Sequence, residues 1–229
     1  MVRPKRTAQL NDLQEVIKET AWRQIAEFGA PTLSLRAIAR EVGITAPAIY
    51  NYFPRRDDLV TALIIDAYTS FGDSQLAARD AVPVADLEGR VLATGVAYRQ
   101  WALTYPQRYQ LIFGTPIPGY TAPMEQVFPS ASRSLGALVS VVEALRRVGR
   151  LNAENFPQVA QGYEASFAAW KNYGGEAEVL SLSVAVLIWS RVHGLVSLEI
   201  AKNTPPFGLS GDALYFYELN LICKQFIKA

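Results

Sequence analysis

Apolar positions recur at three- and four-residue steps through almost the whole chain, the period of helices that turn one face inward. Leu13, Ile17, Ala21, Ile25 and Phe28 form the first series, and Gly29 ends it. Leu35, Ile38, Ala39 and Val42 form the second, behind Ser34, whose hydroxyl suits a helix N-cap. A third helix begins behind Thr45, a further capping residue, with Pro47 in its first turn, where a missing N–H costs nothing. A fourth carries Leu59, Leu63 and Ala67 behind Asp57 and Asp58, acids suited to the positive end of a helix. The same period predicts helices over 84–105, 106–113, 127–148, 157–173, 176–202 and 212–227. Strand-like alternation and internal repeats are absent. The conspicuous break is 114–123, GTPIPGYTAP, with three prolines and two glycines. The pattern predicts an all-α chain of nine or ten helices.

Within the second and third helices the small and branched residues have a special spacing. Ala39, Gly43 and Ile49 suit two short helices crossing steeply around a tight turn. The crossing needs a residue no larger than Ala, the turn needs a glycine at positive φ, and the second helix needs a branched apolar residue pointing into the angle. That is the helix-turn-helix pattern, whose second helix, here 45–52, enters the major groove of DNA. Ala46, Pro47 and Ala48 keep its start slim, Tyr50, Asn51 and Tyr52 offer hydroxyls and an amide, and Ile49 and Phe53 point inward. After Pro54, Arg55 and Arg56 stand beside the exposed N–H groups of the next helix, a place to grip a phosphate. The division expected is a DNA-binding domain over 1–56 and a larger helical domain over 57–229, joined rigidly by the fourth helix.

Charge sharpens this picture. The 229 residues carry a formal charge of +1, which alone argues against a nucleic-acid partner. Residues 1–60, however, hold nine Lys and Arg against seven Asp and Glu, and the cations gather at Arg3, Lys5, Arg6, Arg55 and Arg56. A small basic footprint on a near-neutral body fits binding through one face. One cysteine, Cys223, excludes an internal disulfide and fits a reducing compartment. No signal-type start is present, and 179–200 reads as too polar for a membrane span, which places the chain in the cytoplasm without a membrane partner.

Ser34, Leu35, Arg36, Ile38, Ala39, Val42, Gly43, Ile44, Ile49, Tyr50, Tyr52, Phe53 and Leu59, with Gly29 before them, resemble the TetR family of bacterial transcriptional regulators. Arg56 stands where the family pattern usually has Lys. The resemblance implies phosphate contacts from Ser34, Tyr50 and Arg56, and contacts to bases or the groove floor from Arg36, Thr45, Ala46, Pro47 and Asn51, while the Tyr52 hydroxyl is expected at the DNA for either phosphates or bases. With only methyls at Ala46 and Ala48, base reading here leans on thymine methyl groups. More loosely, Trp189-Ser-Arg-Val-His193-Gly194 and the run from Tyr105 to Phe113 resemble one subgroup of the family. In that subgroup the last two helices pair with those of a second copy. The stripes Leu180, Val184, Leu187, Leu195, Leu198 and Leu214, Leu221, Phe226 agree, and Gly194 permits close approach.

Aromatic residues form two further series, Tyr98, Trp101, Tyr105, Tyr109, Phe113 and Tyr163, Phe167, Trp170. Either lines an ordinary core or a pocket between helices for an apolar or aromatic small molecule. His193 is the single histidine and Cys223 lies far from it, so no metal-ligand set or nucleophilic trio is in view. The GTPIPG segment lacks the Lys and flanking strand of a nucleotide loop. Neither cofactor nor enzymatic activity is expected. The expectation is a homodimeric repressor bound to double-stranded operator DNA and released by a small-molecule effector, with protein recruitment by a helix-turn-helix protein as the alternative.

Overall fold

The computed structural model describes residues 6–154, 167–168, 170–171, 176–204 and 211–228, and the helical period is realised in nine α-helices among them. These are α1 (Arg6–Phe28), α2 (Leu35–Val42), α3 (Ala46–Ile49), α4 (Arg56–Asp80), α5 (Leu87–Thr104), α6 (Pro106–Phe113), α7 (Met124–Arg147), α8 (Val179–Ile200) and α9 (Gly211–Phe226). A single 3-10 turn, Ala30–Thr32, links α1 to α2. The helix expected over 157–173 lies largely outside the described residues, and so does Tyr163.

The chain forms two compact units. The first comprises residues 1–67 and 107–127, the second 68–106 and 128–229. The boundary expected at residue 56 falls at the start of α4, which continues as one helix through Ala67, and α6 with the irregular 114–123 segment groups with the N-terminal helices.

In the first unit Ser34 opens α2 in an extended conformation and accepts from the Ala37 N–H at 3.4 Å. Gly43 closes the helix at φ 78°, a conformation glycine adopts without a Cβ penalty, and the Ile44 N–H returns to the Ala39 carbonyl at 2.9 Å. Ala39 and Ile49 are buried at the crossing of α2 and α3. Around them lie Ile17, Ala21, Ile25, Leu35, Ile38, Phe53, Leu59 and Leu63. Ion pairs brace this small core. Lys18 of α1 meets Asp66 of α4 at 2.7 Å, and Glu41 of α2 accepts from Arg23 at 3.0 Å and Gln24 at 3.1 Å on α1. Arg108 of α6 lies 5.1 Å from the Trp22 ring centre, and the Tyr120 hydroxyl meets that of Thr61 at 2.9 Å.

The second unit packs α5, α7, α8 and α9 with the end of α4 around Phe71, Tyr98, Trp101, Val142, Leu145, Leu182, Ile188, Leu219 and Ile222. Gly95 sets the spacing of α5 and α9. A Cβ there would lie 2.6 Å from Leu219 Cδ2, and its carbonyl accepts from the Tyr215 hydroxyl at 2.5 Å. Polar anchors hold the helix ends. Arg99 of α5 forks onto Glu199 at the end of α8 (2.6 and 2.7 Å) and reaches Asp212 at the start of α9 at 2.5 Å. Glu143 of α7, buried, accepts from Arg146, from Arg147 and from the Ser181 hydroxyl at 2.7 Å in the first turn of α8. Arg146 foremost, then the Ser181 hydroxyl, hold its carboxyl down to about 2. Among the described residues an isolated antiparallel bridge, Leu151 with Ile227, interrupts the all-helical pattern.

By length and a mean hydropathy of 1.7, α8 passes as a membrane-spanning helix, which corrects the sequence reading of 179–200 as too polar. Its apolar residues serve the second unit, where Val184, Ala185, Ile188, Val192 and Val196 are buried and Arg191 pairs with Glu218 of α9.

Candidate nucleic-acid interface

The regular part of the reading helix is four residues, Ala46–Ile49, shorter than the 45–52 span expected, and continues as a hydrogen-bonded turn. The Asn51 N–H returns to the Ala48 carbonyl at 3.2 Å, and those of Tyr52 and Phe53 return to Ile49 at 3.0 Å. Thr45 occupies the N-cap position with extended backbone, yet its side chain caps nothing, contrary to the role its place suggested. Pro47 removes one of the early N–H donors such a cap would serve.

Ile49 and Phe53 anchor this segment from within, so the remaining side chains are displayed outward. Thr45, Ala46, Pro47, Tyr50 and Asn51 are exposed and Tyr52 is half-buried. On α2, Ser34 is half-buried at the cap and Arg36 is exposed. These residues share one helix-turn-helix, braced on its far side by α1. Arg40 is also exposed, one turn beyond Arg36, and sequence reading passed over it. Its i, i+4 relation to Arg36 was the available signal.

At the start of α4 both arginines make bonds within the chain. Arg55 turns its guanidinium onto Asp58 at 2.6 Å, and its own N–H also goes to that carboxylate at 2.9 Å. That bond lowers the Asp58 carboxyl and raises the Arg55 guanidinium. Arg56 donates to three backbone carbonyls, those of Leu33 (3.1 Å), Ala30 (3.2 Å) and Pro31 (3.1 Å).

The aromatic series divides between the units. Trp101 and Tyr105 belong to the second, Tyr109 and Phe113 to the first. The division falls at Pro106, which cannot continue α5, so that helix ends at Thr104 with Tyr105 as its C-cap. Trp101 is buried, with its indole N–H on the Ser70 hydroxyl at 3.0 Å and its ring 4.7 Å from Phe71 and 5.5 Å from Tyr105. Tyr105 is exposed, Tyr109 is buried, and Phe113 lies half-buried 5.0 Å from it. Phe167 is buried, and Trp170 meets Phe128 edge-on at 5.8 Å. The Trp170 indole N–H is buried without a hydrogen-bond partner. Elsewhere in the second unit a cavity of about 20 Å³ is bordered by Tyr98, Leu135, Leu138, Ile188 and Trp189. Trp101 and Tyr105 do not border it. His193 stacks on Trp189 and lies between the hydroxyls of Tyr98 (2.9 Å) and Ser197 (3.3 Å), and burial lowers its pKa. Among the described residues no group of three His, Cys, Asp or Glu side chains gathers to hold a metal ion.

A short reading helix displayed on a compact three-helix head defines a DNA-binding protein of the helix-turn-helix class. Residues 17–63 match the model of bacterial regulatory proteins of the tetR family, and residues 91–221 match the tetracyclin repressor-like C-terminal domain. The HTH-type transcriptional regulator Rv1816 of Mycobacterium tuberculosis is 34% identical over 198 residues, 86% of this chain and 84% of that protein. The crystal structure of the regulatory protein SCO4313 is 34% identical, with a TM-score of 0.78 over 96% of this chain and 98% of its own. SmeT, solved as a complex with triclosan, shares the fold at 13% identity, with a TM-score of 0.63 over 94% of this chain and 91% of its own. The chain belongs to the TetR family and is a transcriptional regulator.

Proposed function

We propose that the chain is a homodimeric repressor that reads operator DNA in the cytoplasm and leaves it when a small apolar or aromatic ligand binds the second unit. The observation that carries the DNA reading is the outward display of Thr45, Ala46, Pro47, Tyr50 and Asn51 from a segment anchored by Ile49 and Phe53. Ser34, Arg36 and Tyr52 complete the contact face. Two copies would occupy half-sites about one turn of DNA apart, roughly 34–36 Å.

Dimerisation through α8 and α9 is supported by apolar side chains that one protomer leaves exposed. Leu187 and Leu198 on α8 and Leu214, Tyr217 and Leu221 on α9 lie at helical spacing, and a Cβ on Gly194 would meet nothing within 4 Å. Val184 and Phe226 drop out of the expected stripes, because both are buried in their own protomer. Leu221→Glu would place an uncompensated carboxylate in that interface and split the dimer in sedimentation. A wild-type chain sedimenting as a monomer at micromolar concentration would remove this part of the proposal.

Ligand release is supported by the buried, unpartnered indole N–H of Trp170, which an acceptor on an aromatic ligand would satisfy, and by the fold-level relative solved with triclosan. The proposed contacts are Trp101, Tyr105, Phe167 and Trp170. A cavity of about 20 Å³ holds about one water, whereas ligand sites run to about 300 Å³ and more. A ligand entering the core at that cavity would have to displace side chains, and such a displacement would be the source of a conformational response. Were the core closed to ligands altogether, protein recruitment would be the better reading.

Footprinting on the promoter beside the chain's own gene tests the DNA reading, and protection of a two-fold symmetric site is expected. Triclosan, added as a first probe, should raise the melting temperature and release the DNA together. Protection of no site by the wild-type chain would overturn the repressor reading.

A further inference from the structure

We propose that Arg56 is a positioning residue that holds the corner between α1 and α2, and that the ionic grip on DNA phosphates is carried instead by Arg36 and Arg40 of α2. The inference rests on the DNA-reading function proposed above and concerns which cations serve it.

Arg56 opens α4, where its charge faces the positive end of its own helix. The guanidinium is occupied. Its Nε donates to the Leu33 carbonyl at 3.1 Å, and its Nη2 donates to those of Ala30 at 3.2 Å and Pro31 at 3.1 Å. All three carbonyls belong to the 3-10 turn and its exit, the short link that carries α1 into α2. One residue after Leu33, Ser34 caps α2, so the link sets where that helix enters and where its outer face points. A planar fork supplies donors from two separate nitrogens, whereas a lysine offers one ammonium on a flexible stem.

The surroundings of Arg56 also oppose an incoming phosphate. Asp57 stands 3.9 Å from its Nη1, and Asp58 takes both the guanidinium and the backbone N–H of Arg55. Two carboxylates thus occupy the start of α4. On α2 the balance is reversed. Arg36 and Arg40 are exposed, lie one turn apart opposite buried Leu35, Ile38 and Ala39, and form no ion pair with another described residue. The nearest acid in sequence, Glu41, is bound to Arg23 and Gln24 of α1. A helical arginine leans toward the N-terminus of its helix, which brings the Arg40 head toward Arg36 and the cap.

The test measures operator affinity of the full-length chain against salt concentration for wild type, Arg56→Lys, Arg56→Ala and Arg40→Ala. Both Arg56 variants should weaken binding about tenfold at every salt concentration, with lysine no better than alanine and the salt slope unchanged. Arg40→Ala should flatten the slope by about one. Hydrogen exchange on the free protein gives an independent reading. The amides of Leu33 and Ala37 should lose protection in Arg56→Lys while those of α8 keep theirs. Wild-type affinity in Arg56→Lys, with a slope flattened by about one in Arg56→Ala, would overturn the proposal. If the wild-type chain binds no duplex, the DNA reading has failed by itself. Unchanged Leu33 and Ala37 protection in Arg56→Lys would then still overturn the positioning role.

Discussion

The two units are held by different kinds of contact. In the first, the polar ties close short stretches of chain: Arg23 to Glu41 across 18 residues, Arg56 to Ala30 across 26, Lys18 to Asp66 across 48. In the second the longest reach much further: Tyr98 to His193 across 95, Arg99 to Glu199 across 100, Tyr215 to Gly95 across 120. The first displays small and polar side chains from a rigid corner, whereas the second buries charge where its helices meet. Short closures cost little chain entropy and leave a reading head whose shape is set locally. Long closures make the second unit depend on helices far apart in the chain, a construction suited to a part that responds as a whole.

The largest test of that contrast is Glu143→Ala, which leaves Arg146, Arg147 and Ser181 without their shared acceptor. A loss of about 1.5–3 kcal/mol in denaturant unfolding is expected, confined to the second unit, because the arginines left behind are open to solvent and only the hydrogen bonds to the carboxylate are lost. The carboxyl sits near 2, below its ordinary value, chiefly through Arg146. Its stabilisation is therefore complete above the ordinary glutamate range of about 4.3 and fades as pH falls toward 2. Glu143→Gln should lack that pH dependence. A loss spread equally over both units would break the contrast.

Gly95→Ala comes next. The added methyl meets buried Leu219 at 2.6 Å, and overpacking should cost about 1–3 kcal/mol. A stability equal to wild type would mean that α5 and α9 yield more readily than their packing implies. In the first unit Ser34→Ala removes the α2 cap, with an expected loss of about 1 kcal/mol in a thermal melt and reduced operator binding. Smallest of all is the reactivity of Cys223, whose thiol burial pushes up to about 11. Alkylation at pH 8 should be slow in the folded chain and rapid once denaturant is added. Rapid labelling of the folded chain would show α9 opening on its own.

Much of the head was legible because its signals are local. Ser34 as a cap, Gly43 at positive φ, and Ala39 and Ile49 at the crossing each depend on neighbours within a few residues. The outward set of the reading helix followed from Ile49 and Phe53 pointing in. Less was legible beyond that. Thr45 has the right side chain and backbone for a cap but makes no cap bond, and the aromatic series from Trp101 to Phe113 was divided by the same Pro106 that punctuates it. Arg40 was overlooked because one exposed arginine looks like any other until its partners are known.

By itself, then, the sequence determined most of the described helices and their breaks, the Ser34 cap, the helix-turn-helix and the family, all properties of residue type at short spacing. Tertiary structure alone decided which face of each helix is spent inside one protomer. Leu187 and Leu198 remain exposed while Val184 joins the core, and Leu214 and Leu221 remain exposed while Phe226 is buried. It also decided what the charged groups do. Arg56 and Arg36 are the same side chain, yet one is taken up by carbonyls 23 to 26 residues away and the other is left to solvent. A helical period records that a face is apolar and a charge that a group is polar. What each meets depends on which distant segment folding brings within hydrogen-bonding or van der Waals distance.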